Sequence, residues 1–318
     1  MKINPATGAI IWKTFVPASN VNPTSQGLTR IEAYHGTNDV IAMAFNLGLC
    51  RIDDTGMQQW YTAVGGSSVA PPTDNRRMFD VDASGRIICL NSAGTAMQQL
   101  NGSGSTVWTR ASFIPSSIRS KSAYSLVGVA SGISFVIKKI DNTTGMDSTT
   151  SATVFGIAPK IQAINTTDDS FLENENLGPR RRDNSLAIVS TPAWTPESTR
   201  FGANGYADAE ASNNRARATD GAGTTLWALT GIAGATFSGS LLDCCSDASY
   251  SYESVGYYFS GTQMTGTSGL KFNIFKTDIN GSLLWTQQYG ASPASTTVSG
   301  LCLSDDGYLY AAGGYNPS

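Results

Sequence analysis

The chain has 318 residues, of which only 14% are charged, and 21 basic against 24 acidic side chains leave a net charge of −3. So weak a field excludes a polybasic nucleic-acid surface and a charge-driven membrane contact, while 8 Lys and 6 Glu beside 33 Gly leave few strong helix formers. No run approaches the ~18 apolar residues of a membrane-spanning helix, and the opening Met1-Lys2-Ile3-Asn4-Pro5 lacks the apolar core of a secretion signal.

Read from its start, the chain repeats one pattern: a polar turn opened by Asp or Asn and ended by Gly, then three or four residues, then Trp. The copies are NPATGAIIW ending at Trp12, DDTGMQQW at Trp60, NGSGSTVW at Trp108, DGAGTTLW at Trp227 and DINGSLLW at Trp285. Asp or Asn bonds its own backbone and Gly accepts the positive φ of a tight turn, so each copy predicts a β-hairpin. The alternating stretches LGLCRID (47–53) and KFNIFKTD (271–278) supply the preceding strand, and LTRIEAY (28–34) with DVIAMAF (39–45) supplies two more. Four antiparallel strands are the blade of a propeller. A degenerate copy, NTTDDSFLENENLG, places Leu172 where the others have Trp, which brings the count to six.

The expected fold is therefore all-β, a single β-propeller of six four-stranded blades spanning 1–318. Residues 298–318 offer two strands without partners and residues 1–16 the other two, so the two ends share the closing blade. The stretch 140–220 interrupts the repeat and reads as irregular and loop-rich. Repetition at one blade position assigns Trp12, Trp60, Trp108, Trp227 and Trp285 to packing between blades.

Trp194, flanked by Pro192 and Pro196 outside the repeat, is the candidate recognition aromatic, and Arg180, Arg181 and Arg182 in a Gly/Pro loop are the candidate anion grip. Cys50, Cys89 and Cys302 sit in apolar strand-like runs and read as core residues. His35, the sole histidine, falls in the turn YHGTND, with no hydrolase motif around it. In DVDASG (80–85) oxygen donors alternate as in a Ca²⁺ loop, but Asn91 stands where the bidentate Glu belongs, so a hairpin turn is expected there and no metal.

FKTDINGSLLWTQQYG (275–290) followed by SGLCLSDDGYLYAAGGY (299–315) resembles the bacterial β-propeller repeats of the quinoprotein-like superfamily. The resemblance implies fold rather than chemistry. Enzymes of that type bind pyrroloquinoline quinone and Ca²⁺, and some stack the quinone on a disulfide between adjacent cysteines, which draws attention to Cys244 and Cys245. No His, Arg or carboxylate cluster accompanies that pair, so no cofactor is expected.

The functional expectation is a non-catalytic structural or interaction propeller of a bacteriophage virion: a tail nozzle, adaptor, fibre or decoration protein assembled in the host cytoplasm. Its partners would be other structural proteins or copies of itself, with neither sequence-specific nucleic acid nor membrane. The alternatives are a cell-surface or secreted bacterial propeller binding carbohydrate or protein, and a quinoprotein-like oxidoreductase.

Overall fold

The computed structural model describes residues 1–16, 28–44, 48–65, 78–121, 123–131, 134–148, 152–154, 159–165, 168–175, 178–192, 198–202, 205–210, 215–230, 241–246, 256–264, 270–289 and 295–316. They fall into two compact units, Met1–Ile31 with Pro196–Ser318, and Glu32–Thr195.

The strands, in chain order, begin with β1 (Lys2–Ile3) and β2 (Ile10–Trp12). One sheet follows from β3 (Leu28–Ala33), β4 (Val40–Ala44), β5 (Gly48–Ile52) and β6 (Gln58–Thr62), and a second from β7 (Phe79–Val81), β8 (Ile87–Leu90), β9 (Ala96–Leu100) and β10 (Thr106–Ala111). The third contains β11 (Pro115–Ser120), β12 (Tyr124–Ser131), β13 (Ser134–Asp141) and β14 (Ala152–Val154). The fourth contains β15 (Lys160–Ile164), β16 (Phe171–Glu175), β17 (Gly178–Arg182) and β18 (Ile188–Ser190). In the fifth are β19 (Ser198–Gly202), β20 (Gly205–Glu210), β21 (Arg215–Thr219) and β22 (Thr225–Thr230). The sixth is β23 (Leu241–Ser246), β24 (Gly256–Met264), β25 (Leu270–Asp278) and β26 (Leu283–Tyr289). Last, β27 (Ser295–Leu303) and β28 (Leu309–Asn316) join β1 and β2 in the order β2-β1-β28-β27.

In that seventh sheet Lys2 lies opposite Tyr310 and Ile3 opposite Leu309. The Lys2 ammonium reaches Asp306 at 3.1 Å and stands 4.3 Å from the centre of the Tyr308 ring, so an ion pair and a cation–π contact sit on the same join.

Seven sheets replace the six expected. Leu172 does not end a blade: it lies on β16, the second strand of its sheet, and is fully buried. Between Trp108 and Trp227 run two outer strands, β14 and β18, rather than one. Neither carries Trp, and the turn before β18 has Leu186 in the Gly position, so a count that follows Trp passes over one sheet.

The recurring turns do what their residues dictate. One side-chain oxygen of Asp53 accepts the amides of Thr55 and Met57, and Asn101, Asp183, Asp220 and Asp278 do the same two and four residues on. Beyond the turn, the Trp side chain reaches the following sheet. Trp60 Nε1 donates to the Gly102 carbonyl at 2.7 Å, Trp108 to Asn142 at 3.0 Å, Trp227 to Ile279 at 2.9 Å and Trp285 to Pro5 at 3.0 Å. In each case the acceptor is the second residue of the next sheet's turn. The glycine closing that turn lies against the indole: a Cβ on Gly104, Gly145 or Gly281 would meet Trp60, Trp108 or Trp227 at 2.8 to 2.9 Å.

Inward of Trp60, Trp108, Trp227 and Trp285 lies an apolar cluster shared by two consecutive sheets. Trp60 closes the cluster of Ile41, Leu49, Phe79 and Ile87, and Trp108 that of Ile88, Ile118, Val127 and Ile140. Trp227 borders Ala207, Ala216 and Ala218 packed on Tyr257, Phe259 and Phe275, where small residues on one sheet admit large ones from the next. Trp12 packs edge-on against Tyr310, with ring centres 5.8 Å apart.

Leu186 is the informative exception. It holds φ at +69°, a conformation costly for a residue with a Cβ, yet it is buried among Tyr124, Leu126, Ile137, Ile161 and Phe171. Its side chain fills the seam between the third and fourth sheets. Gly145→Ala forces a methyl against Trp108 at φ +73° and is expected to cost about 2 kcal/mol. Leu186→Gly relaxes the backbone but empties the seam, so it too is expected to destabilise, by about 2 kcal/mol; urea unfolding of both variants measures this.

The same turns set an acid limit. At Asp53 burial is the largest single influence and pulls upward, but hydrogen bonds from the Thr55 hydroxyl, the Met57 and Thr55 amides and the Gln59 carboxamide together outweigh it; at Asp141 the Thr144 amide leads, and at Asp183 the Ser185 hydroxyl leads. All three carboxyls are held below the ordinary value of 3.8. A depressed folded pKa stabilises above the unfolded value and is lost as pH falls through the folded one. Below about pH 4 the unfolding midpoint is therefore expected to fall. The triple variant Asp53→Asn, Asp141→Asn, Asp183→Asn should flatten that limb, since Asn101 and Asn4 already cap equivalent turns uncharged.

Candidate interaction surfaces

The three arginines are not a loop. They lie on β17, opposite β16, with Arg180 across from Glu173 and Arg182 across from Phe171. Arg182 is buried and its Nε bonds the Glu173 carboxylate, while its Nη1 donates to the Leu186 carbonyl at 2.9 Å. Burial pushes the Glu173 carboxyl above its usual range, against the opposing pull of Arg182 and Arg180. Arg181 faces the other way and donates to Asp168 at 2.8 Å and to Ser170. Arg180 is half-buried. An incoming anion would compete with partners that two of the three guanidiniums already hold.

Trp194 lies outside the described residues. Cys244 and Cys245 occupy consecutive positions of β23, in register with Phe259 and Tyr258. Cys50, Cys89 and Cys302 are buried free thiols, and desolvation pushes Cys50 and Cys89 up to about 12, which keeps both protonated and unreactive at neutral pH. His35 falls in the turn between β3 and β4, where the Tyr34 amide donates to the Asp39 carbonyl at 3.0 Å.

The Ca²⁺-like segment is a turn whose carboxylate is fully engaged. Asp82 Oδ1 accepts the Ser84 and Arg86 amides, and Oδ2 accepts Arg86 Nε at 2.7 Å and Asn142 Nδ2 at 2.9 Å. Asn142 in turn accepts from Ser125, which bonds Ser120, whose amide donates to Asp80. This buried chain fastens the second sheet to the third.

A surface absent from the sequence reading lies on the outer strands. In six sheets the pairing of the last two strands slips by one residue next to the Trp position. Thr106 faces Leu100 and Trp108 faces Gln99, which leaves Val107 without an opposite number. The same displacement singles out Ile11, Gln59, Val189, Leu226 and Leu284. These are β-bulges, and the extra residue turns the strand so that Trp faces the neighbouring sheet. The bulged residue then faces solvent. Five of the six are aliphatic, and Ile11, Val107, Val189, Leu226 and Leu284 remain 45 to 54% exposed. The signal was present in the strings IIW, TVW, TLW, LLW and IVS, where an aliphatic residue precedes the Trp position each time.

No protein-family model matches the chain, and no curated protein matches it in sequence. Among solved structures it is similar to U3-55K over 92% of this chain and 90% of that one, with a TM-score of 0.61 and 8% identity. It is also similar to virginiamycin B lyase from Staphylococcus aureus over 92% and 95% of the two chains, with a TM-score of 0.57 and 13% identity. At such identities the likeness shows the fold alone: an all-β propeller, here of seven blades.

If the Arg182–Glu173 pair serves packing, removing one partner should cost more than removing both. Arg182→Met alone strands a buried carboxylate and is expected to lose about 3 kcal/mol, whereas Arg182→Met with Glu173→Leu should recover most of it. Thermal and urea unfolding of the two variants distinguish the cases.

Proposed function

We propose that the chain is a non-catalytic structural or interaction propeller that works inside a larger assembly, as a tail nozzle, adaptor, fibre or decoration component of a bacteriophage particle. Its partners are other structural proteins or further copies of itself. The observation that carries this reading is the series of half-exposed aliphatic residues at the bulges: Ile11, Val107, Val189, Leu226 and Leu284. Single exposed aliphatics need no explanation. A residue class repeated at one half-exposed position of five sheets leaves apolar area uncovered among the described residues, and burial against a neighbour would cover it.

The turns support the same reading, because their polar groups are spent on holding the sheets together. The Asp and Asn side chains cap backbone amides, and the carbonyl following them takes a Trp indole. The low charge suits contacts made by shape and apolar area rather than by long-range attraction.

Mass spectrometry of purified particles from the source should contain this chain; its absence from them would end the particle reading. A variant with Ile11, Val107, Val189, Leu226 and Leu284 all replaced by Thr should keep the native circular dichroism and lose incorporation or self-association. Undiminished assembly would show that these residues carry no contact.

A further inference from the structure

We propose that Asn280–Gly281 is a site of spontaneous backbone modification, at which Asn280 cyclises and opens to an isoaspartyl link that loosens the hold of the next turn on Trp227. Asn-Gly is the dipeptide best suited to this reaction, because glycine has no side chain to shield its amide nitrogen. The chain has three such pairs, Asn101–Gly102, Asn204–Gly205 and Asn280–Gly281, and Asn204 lies outside the described residues. The other two occupy different places in the same kind of turn.

Asn101 opens its turn and is locked. Its Oδ1 accepts the amides of Ser103 and Ser105, both at 3.0 Å, and the Ser103 hydroxyl at 2.7 Å. Its neighbour Gly102 is fixed through its carbonyl by Trp60 and by Arg51 at 2.9 Å, and Tyr34 Oη stands 2.1 Å from where a Cβ would be. Swinging the carboxamide round to the Gly102 nitrogen would break this set.

Asn280 is the third residue of its turn and is exposed. Its backbone amide donates to Asp278 Oδ1 at 2.9 Å, while its carboxamide makes no hydrogen bond among the described residues. The Gly281 amide, the nucleophile, donates to the Asp278 carbonyl at 3.2 Å, whereas the equivalent bonds in the other turns are 2.8 to 3.0 Å. Among the described residues the carboxamide has no hydrogen bond to break, and the bond on the attacking nitrogen is the longest of those closing these turns.

In the reaction the Gly281 nitrogen bonds to Asn280 Cγ, the Cγ–Nδ2 bond breaks, and ammonia leaves with the Gly281 proton. Solvent water then opens the succinimide at either carbonyl. Opening at the main-chain carbonyl routes the backbone through the side chain, adding one methylene and leaving a free carboxylate beside Asp278. No electrons are gained or lost. The lengthened turn is the one whose Ile279 carbonyl accepts Trp227 Nε1 at 2.9 Å and whose Gly281 lies against the indole.

The test holds the purified chain folded in mildly alkaline buffer and follows each asparagine by peptide mapping, with isoaspartate-specific methylation to identify the link. Parallel samples are kept in urea. Asn280 should convert at least about tenfold faster than Asn101 in the folded chain, and the two should converge in urea. Tryptophan fluorescence should drift in step with conversion and stay constant in Asn280→Ser, whose fold is verified by circular dichroism. Equal rates in the folded chain, an Asn280 that converts only in urea, or an unchanging fluorescence during conversion would each overturn the proposal.

Discussion

The contact on which the molecule depends is an indole N–H reaching the second carbonyl of the neighbouring sheet's turn, with a glycine flat against the ring. It links the repeat in the sequence to the packing of the sheets. Three local features must coincide for it to form. An Asp or Asn must cap the turn so that the carbonyl points outward; the closing residue must take positive φ; and a bulge must rotate the outer strand until Trp faces its neighbour. Each feature is worth about a kcal/mol in isolation, but each positions the others.

The seam between the third and fourth sheets shows what replaces this contact where Trp is missing. Leu186 enters the gap from the opposite side at the expense of an unfavourable φ. Polar pairs do the rest: Lys121 bonds Asp169, Lys139 donates to Asn184 at 2.6 Å, and Arg119 donates to the Gln162 carbonyl at 2.6 Å. Lys139 also covers the Tyr124 ring at 3.9 Å. Apolar contact remains the main attraction there, with one ion pair, Lys121–Asp169, and hydrogen bonds from Lys139 and Arg119 at the rim, so added salt weakens only the ionic part of that rim.

How far the sequence alone revealed this arrangement depended on which residue was followed. Asp, Gly and Trp at fixed offsets marked the hairpins and the four-stranded unit, because turn chemistry is local; Trp60, Trp108, Trp227 and Trp285 reach the next sheet's turn, while Trp12 packs on Tyr310 of its own sheet. The count failed where the chemistry was carried by other residues. DNTTG (141–145) has the spacing of NPATG (4–8), and DNSLAIVS (183–190) matches the repeat with Leu for Gly and Ser for Trp; following the turn rather than the Trp leads to seven. The arginine run looked like a loop because Gly178 and Pro179 precede it, whereas the register with β16 and the ion pair to Glu173 make it strand. The aliphatic residue before the Trp position is visible in the sequence, but its exposure follows only from the bulge beside it, which alternation alone does not show.

The bulges have one more effect, on the outer rim of the six sheets that carry them. A free strand edge normally offers an evenly spaced ladder of N–H and C=O groups on which a foreign strand can continue the pairing. Here the ladder is broken beside Ile11, Gln59, Val107, Val189, Leu226 and Leu284, where one residue too many shifts the donors and acceptors out of step. An approaching strand can match the groups on one side of the break or on the other, but not both. Such rims resist edge-to-edge aggregation although their outer strands carry few charges, and they leave side-chain contact as the way anything docks there.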